Sequence, residues 1–234
     1  MNFNQKTIKT LNSQENSSSL VLNNYIKVFQ IINDLHIKHN SLWLSEIENL
    51  GFNHLNLKRL QVETVCSIED GILDDFYLYI THYKNSLTKL YKDLFLMIKR
   101  ECFPNVHGRI KNDESILLKL HKKRTEQNGK FSINKVLNDL LGFRIIEEDF
   151  SLDENLPDIK KFLEQKKTSG EWRVIHKQRE NGDYKGYHVY FMGQNTSCFP
   201  LELQIWHKRN ERRNLNSHEL YKKEYTLWPE VYNE

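Results

Sequence analysis

Arg109 and Lys111, in the run Gly108-Arg109-Ile110-Lys111, are followed by Ser115 and Lys119. Four-residue spacing on a helix puts Lys111, Ser115 and Lys119 on one face, with Lys122 continuing it. A basic face near the positive end of a helix suits a polyphosphate, although a solvated basic stripe on an amphipathic helix would look the same. Asp139, opening Asp139-Leu140-Leu141-Gly142-Phe143-Arg144, and Glu202, opening Glu202-Leu203-Gln204-Ile205, add two separated acids. Such acids can hold Mg²⁺ against phosphate oxygens, because that ion takes a few hard protein ligands and fills its shell from substrate and water. A carboxylate on the polar side of a strand is, taken alone, weak evidence. Tyr184, Lys185, Tyr187 and His188 follow a Gly182-Asp183 turn and offer an aromatic shelf for a base, against the plainer alternative of strand packing. Cations for a polyphosphate, acids for a metal and a shelf for a base together point to nucleotide phosphotransfer.

These groups need elements to hold them. Leu22, Ile26, Phe29, Ile32 and Leu35 predict a helix from Leu20 to about His39. Ser41 with Glu46 opens a shorter one, and Gly51 ends the pair. Asp74 is placed to cap a long helix carrying Phe76, Ile80, Tyr83, Leu87, Leu90, Leu94 and Ile98 on one stripe, and Pro104 terminates it. Beyond this mainly helical part the period changes. A helix is expected from Ser115 to about Lys123, then a short buried strand at Gly142–Ile146 after a helix ending near Asp139, then a helix from Leu156 to Lys167. Three strands follow, Trp172–His176, Tyr187–Met192 and Leu201–Trp206, the first two separated by Asn181-Gly182-Asp183. In the last of them Leu201, Leu203 and Ile205 point one way, Glu202 and Gln204 the other. Helix returns from Asn210 to Tyr225. The order predicts an α+β (α/β-like) fold, a mixed sheet flanked by helices, with a helical N-terminal layer.

At 234 residues and 38% hydrophobic content the chain can bury one good core and a smaller helical layer. A net charge of +3 demands no nucleic-acid partner, although Lys208, Arg209, Arg212 and Arg213, with Lys122, Lys123 and Arg124, are local clusters that can contact an RNA backbone. Three cysteines without metal-ligand spacing, no secretory signal and no bilayer-length apolar run predict a cytoplasmic protein with no membrane partner. Residues 1–19, rich in Asn, Ser, Gln and Lys, read as a flexible tail. The expected division is that tail, a helical region over 20–103 and a catalytic domain over 104–234.

The order of the blocks resembles the synthetase domain of the RelA/SpoT family over roughly residues 100–225. Gly108, Arg109, Lys111, Ser115 and Lys119 match the family's first block, and Asp139 to Arg144 its Asp-Leu-x-Gly-x-Arg strand. Asn181, Gly182, Tyr184 and His188 match its Asn-Gly-Tyr loop ending in His, Glu202 to Ile205 its Glu-x-Gln-Ile strand, and His218, Tyr221 and Lys222 its closing motif. The resemblance implies a nucleotidyltransferase-like core that moves the β,γ-pyrophosphate of ATP onto a ribose 3′-oxygen. By the same resemblance Arg109, Lys111, Ser115, Lys119 and Arg144 would bind ATP, and Asp139 would hold Mg²⁺. Glu202 would bind the metal or act as base, and Tyr184, His188, Arg179 and Gln204 would serve the acceptor, Tyr184 by stacking.

Three departures fall on the acceptor side. Asp183 interrupts the Asn-Gly-Tyr run, Gly186 stands where Ser is usual, and Trp206-His207 replaces Arg-Thr. With the short stretch after Lys222, they make the chain resemble the toxic small alarmone synthetases of toxin–antitoxin loci. That implies tRNA as acceptor and an antitoxin as partner. A guanine nucleotide acceptor, GDP or GTP, and a catalytically inactive nucleotide- or RNA-binding module are the alternatives.

Overall fold

The computed structural model describes residues 3–217. The helices are α1 (Phe3–Asn49), α2 (Asp74–Glu101), α3 (Asp113–Thr125), the single turn α4 (Ile133–Val136) and α5 (Asp149–Thr168). The strands are β1 (His107–Ile110), β2 (Leu141–Glu147), β3 (Val174–Asn181), β4 (Tyr184–Phe191) and β5 (Leu201–His207). Residues 211–217 are also helical; His218, Tyr221 and Lys222 lie outside the described residues.

One mixed sheet runs in the order β1-β2-β5-β4-β3. β2 and β5 are parallel and the other neighbours antiparallel, the α+β arrangement expected. Side chains alternate faces along each strand, and the register sorts them. Phe143, Ile145, Leu201, Leu203, Ile205, Val189 and Phe191 fall on one face and are buried. Helices α1, α2 and α5 cover this face: Phe29 of α1 lies 6.4 Å from Phe191 and Tyr91 of α2 stacks 5.9 Å from Phe143, while Phe162 of α5 lies 6.3 Å from Phe29. The opposite face collects the polar side chains.

The stripe of α2 is buried as expected, though Asp74 is the first helical residue rather than its cap, which is Leu73. The break expected near Ser41 does not occur. Asn40 Nδ2 donates to the carbonyl of His36 at 2.8 Å and Ser41 Oγ to that of Ile37 at 3.1 Å. Ser41, which read as the opening of a second helix, and its neighbour Asn40 therefore bond back within one uninterrupted helix, which also takes in most of residues 1–19. Gly51, at φ +83°, ends it: Gly51 N donates to Glu48 O and Phe52 N to Ile47 O, both at 3.0 Å.

Two further differences bear on the site. The block Gly108–Ile110 is an edge strand, not the approach to a helix, so Lys111 is off α3 and its N–H donates to Leu140 O at 2.8 Å. Asn112 caps α3 instead, its side chain accepting from Ser115 N at 3.0 Å. Strands β3 and β4 extend past their apolar cores to meet at the Gly182-Asp183 turn, with Gly182 at φ +56°. The three cysteines are free, and burial raises each thiol. Among the described residues no helix is long and apolar enough to cross a membrane.

Candidate active site

Reading across the polar face gives three rows. Arg109, Gly142, Glu202 and Tyr190 share the first. Arg144, Gln204, His188 and Lys177 share the second. In the third, Arg179 pairs with Gly186, and Trp206 follows Gln204 by two residues on β5. Helix α3 brings Lys119 to one end of this face, where the loop ahead of β2 carries Asp139.

At that end Asp139 accepts from Lys111 Nζ at 2.8 Å and from Lys119 Nζ at 3.1 Å, with Arg109 Nη2 3.5 Å away. Burial of the carboxyl pushes its pKa up, but Lys119, Lys111 and Arg109 outweigh that and hold it well below the usual carboxylate range. Lys111 is brought below the usual lysine range by burial, with Lys119 and Arg109 adding to the effect and Asp139 opposing it. Ser115 is not bonded into this cluster: its N–H goes to the Asn112 cap, and its hydroxyl carries no hydrogen bond to another described residue. Three cations thus share one carboxylate, and a polyphosphate arriving there gives each lysine an alternative anion.

The second network closes on itself. Trp206 Nε1 can only donate, so Tyr184 Oη accepts from it at 3.1 Å and gives its own proton to His188 Nε2 at 2.6 Å. That leaves His188 Nδ1 to donate to Glu202 Oε1 at 2.8 Å. From the other side Arg144 Nε donates to Gln204 Oε1 at 3.3 Å, and Gln204 Nε2 donates to Glu202 Oε2 at 2.8 Å. Arg144 completes the ring, its guanidinium 3.6 Å from the centre of the Trp206 indole. Glu202 is only 5% exposed. Burial works to raise its pKa and Asp139 adds to that, yet the bonds from His188 and Gln204 prevail and keep it an ionised acceptor. Burial pushes the Tyr184 hydroxyl up to about 12 and brings Arg144 down to about 10.

Removing the Tyr184 hydroxyl leaves two buried groups, Trp206 Nε1 and His188 Nε2, without their partner. Tyr184→Phe should therefore cost about 1–3 kcal/mol, read as a fall in thermal midpoint of roughly 2–4 °C per kcal/mol. An unchanged midpoint would show that this ring of bonds does not hold the site.

Sequence reasoning grouped Arg109, Lys111, Ser115 and Lys119 and paired Asp139 with Glu202; the structure instead joins Asp139 to Arg109, Lys111 and Lys119. Glu202, Gln204, His188, Tyr184 and Arg144 form the second group, while Lys185 and Tyr187 belong to the other face, where Tyr187 Oη meets His176 Nδ1 at 2.7 Å. Arg179 reaches over the Tyr190 ring, 5.6 Å from its centre, and Lys177 lies 5.8 Å from the same ring. Tyr190, Lys177 and Trp206 were not among the expected site residues. Period-two counting from His188 and Gln204 identifies Tyr190 and Trp206, but Lys177 needs the β3–β4 register.

Of the expected RNA-contacting cluster, Lys208 pairs with Glu211 at 2.7 Å and Arg209 approaches Asp153 at 3.6 Å, whereas Arg212 and Arg213 are exposed. A separate cavity of about 370 Å³ between α2 and α3 is lined by Asp70, Asp74, Asp113 and Glu114 among apolar groups, and its carboxylates would repel a polyphosphate.

A family model described as the region found in RelA / SpoT proteins matches residues 108–226, just over half of the sequence. The chain belongs to the RelA/SpoT family. It is accordingly a pyrophosphotransferase of the RelA/SpoT type, and the matched region contains every residue of both networks. A crystal structure of the small alarmone synthetase 1 from Bacillus subtilis is 23% identical, with TM-score 0.40, and the match covers 64% of this chain and 80% of that one. A second structure of that synthetase, bound to AMPCPP, is 18% identical, with TM-score 0.37 and the same coverage. No curated protein matches the sequence.

Proposed function

We propose that this RelA/SpoT-family chain moves the β,γ-pyrophosphate of ATP onto the 3′-hydroxyl of a ribose, and that the acceptor is the 3′-terminal adenosine of tRNA, which blocks translation. The observation that carries the reading is the placement of the Lys111–Asp139–Lys119 cluster and the Tyr184–His188–Glu202 chain on one sheet face. One end offers cations to a triphosphate. The other offers a carboxylate beside an aromatic hydroxyl.

Arg109, Lys111, Lys119 and Arg144 would take up ATP, with Ser115 at the capped end of α3. The ribose oxygen attacks the β-phosphorus as the bond from that phosphorus to the α,β-bridging oxygen breaks, AMP leaves with the electron pair, and Glu202 receives the hydroxyl proton. Charge that spreads over the transferred oxygens meets cations already in place, so little reorganisation is needed at the moment of reaction.

The donor chemistry fits Mg²⁺. Asp139 and Glu202 are hard oxygen ligands, and the charge of Asp139 is felt at Glu202; the described residues include no cluster of three or more His, Cys, Asp or Glu. The ion would draw its remaining ligands from phosphate and water, and would supply charge neutralisation when bound. Asp139 becomes available to it once Lys111 and Lys119 turn to phosphate.

The exposed Arg212 and Arg213 support an RNA acceptor. Lys177 and Arg179, exposed beside Tyr190, favour a second reading, in which GDP or GTP is the acceptor and its 5′-phosphates meet these cations. A toxin of this kind requires a neutralising antitoxin as partner. The test supplies Mg²⁺ and ATP labelled in its terminal phosphate to the protein, with deacylated tRNA, GDP or GTP in parallel. Label on tRNA is expected. Label on a guanine nucleotide would establish the second reading, and no transfer at all would overturn both.

A further inference from the structure

Trp206 is a large residue that the reaction itself does not call for. It is 0% exposed, so it touches no substrate, yet it contacts one residue assigned above to ATP and one assigned to the acceptor. Its ring carries the Arg144 guanidinium at 3.6 Å and its Nε1 donates to Tyr184 Oη at 3.1 Å. The width of the indole therefore sets the separation between the cation and the hydroxyl.

Space for the indole exists because residue 186 has no side chain. A Cβ at Gly186 would stand 2.9 Å from Trp206 Cδ1, 2.9 Å from Tyr184 Oη and 3.0 Å from Trp206 Nε1. Contacts that close require something to shift, and each neighbour is pinned: the indole under Arg144, the hydroxyl between Nε1 and His188 Nε2. A side chain at 186 and an indole at 206 exclude one another in this packing. With a slimmer residue at 206, Arg144 would lose its stacking surface and Tyr184 the donor that orients its hydroxyl toward His188.

We propose that Trp206 and Gly186 form a positioning pair that sets which 3′-hydroxyl acceptor the site prefers, acting through Arg144 and Tyr184. This rests on the pyrophosphokinase reading above. Fixed separation favours the acceptor that matches it, and the pair acts as a unit because a change at either position moves the same two groups.

The test measures kcat/KM for deacylated tRNA and for GTP, at saturating ATP and Mg²⁺, on the wild type, Trp206→Phe, Trp206→Ala, Gly186→Ser and the double variant Gly186→Ser/Trp206→Ala. Effects on ATP are common to both acceptors and cancel in their ratio. In Trp206→Ala the ratio is expected to move about tenfold toward the disfavoured acceptor, the scale set by misplaced pocket contacts. Trp206→Phe, which keeps a ring under Arg144 and lacks the donor, should fall between. Gly186→Ser should impair the wild type severely and Trp206→Ala at least several-fold less, the contact with Tyr184 Oη being the one that remains once the indole is gone. Equal loss for both acceptors would reduce Trp206 to a packing residue and overturn the proposal, as would a Gly186→Ser penalty that is undiminished without the indole. If Trp206→Ala fails to fold by circular dichroism, the ratio in Trp206→Phe and Gly186→Ser decides. Absence of transfer by the wild type would instead overturn the underlying reading, whatever the variants do.

Discussion

Asp139→Asn is expected to lower pyrophosphate transfer by roughly a thousandfold or more, the range seen when a preorganised charged group is removed from a reacting centre. The change is nearly isosteric, so shape is preserved and charge is lost. The structure adds a second consequence. Asp139 is the only carboxylate among the described residues bonded to Lys111 and Lys119, and the Lys111 side chain is 10% exposed. Removing one partner of a buried ion cluster costs about 3–5 kcal/mol, so the variant should also melt earlier. Stability and activity can be separated by adding ATP in EDTA: its phosphates replace the missing anion, so the thermal midpoint should recover in the variant while transfer does not. A variant that melts like the wild type and gains nothing from ATP would show that the lysines do not depend on Asp139. The acid side offers a third reading. The folded carboxyl titrates well below an unfolded aspartate, so its contribution is fully present above about pH 3.9 and is lost as pH falls toward the folded value. That part of the wild-type acid sensitivity should be missing from Asp139→Asn.

Glu202→Gln should reduce turnover by about 10²–10⁴, the usual contribution of a positioned proton acceptor. Its structural effect is less obvious from the isosteric shape. Glu202 accepts at both oxygens, from His188 Nδ1 and Gln204 Nε2. A glutamine there has one acceptor and one donor group. If its oxygen keeps His188, its amide faces the amide of Gln204, and that side chain must flip. The flip turns a nitrogen toward Arg144 Nε, which now donates to Gln204 Oε1. One substituted atom is thus passed to the guanidinium that stacks on Trp206. The expected result is a fall in kcat together with a rise in the KM for ATP, measured by steady-state kinetics. A fall in kcat alone would mean that Gln204 does not transmit the change.

How much of this could be read from the residues differs by element. The face carrying Glu202 and Gln204 was legible because alternation with Leu201, Leu203 and Ile205 is a local property of one strand. The Asp139 cluster was legible in type and partly in place. Lys111 was assigned to a helix because a four-residue edge strand with Gly108 and Arg109 in it carries no period of its own. The continuity of α1 was hidden because Asn40 and Ser41 serve equally as caps or as back-bonding residues, and only packing along the helix decides. The role of Trp206 was out of reach, since it depends on Gly186 standing beside it across two strands and on Arg144 lying over both. Such a relation is fixed by register between segments about 20 to 60 residues apart, and no window of sequence contains it.

The strand order has a consequence for how the enzyme comes into being. β1 pairs with β2 and β3 with β4, but the strand that joins these two pairs, β5, leaves the ribosome after all four of them. Until it inserts, the sheet is two separate ribbons, and neither Glu202 nor Gln204 nor Trp206 has been delivered. A nascent or truncated chain ending before Leu201 can own the lysine cluster and still lack the carboxylate of Glu202 and the indole that links Arg144 to Tyr184. Long-range parallel pairing is also slow to form. Assembly of the full polar face is therefore deferred until β5 has been made and has inserted between β2 and β4.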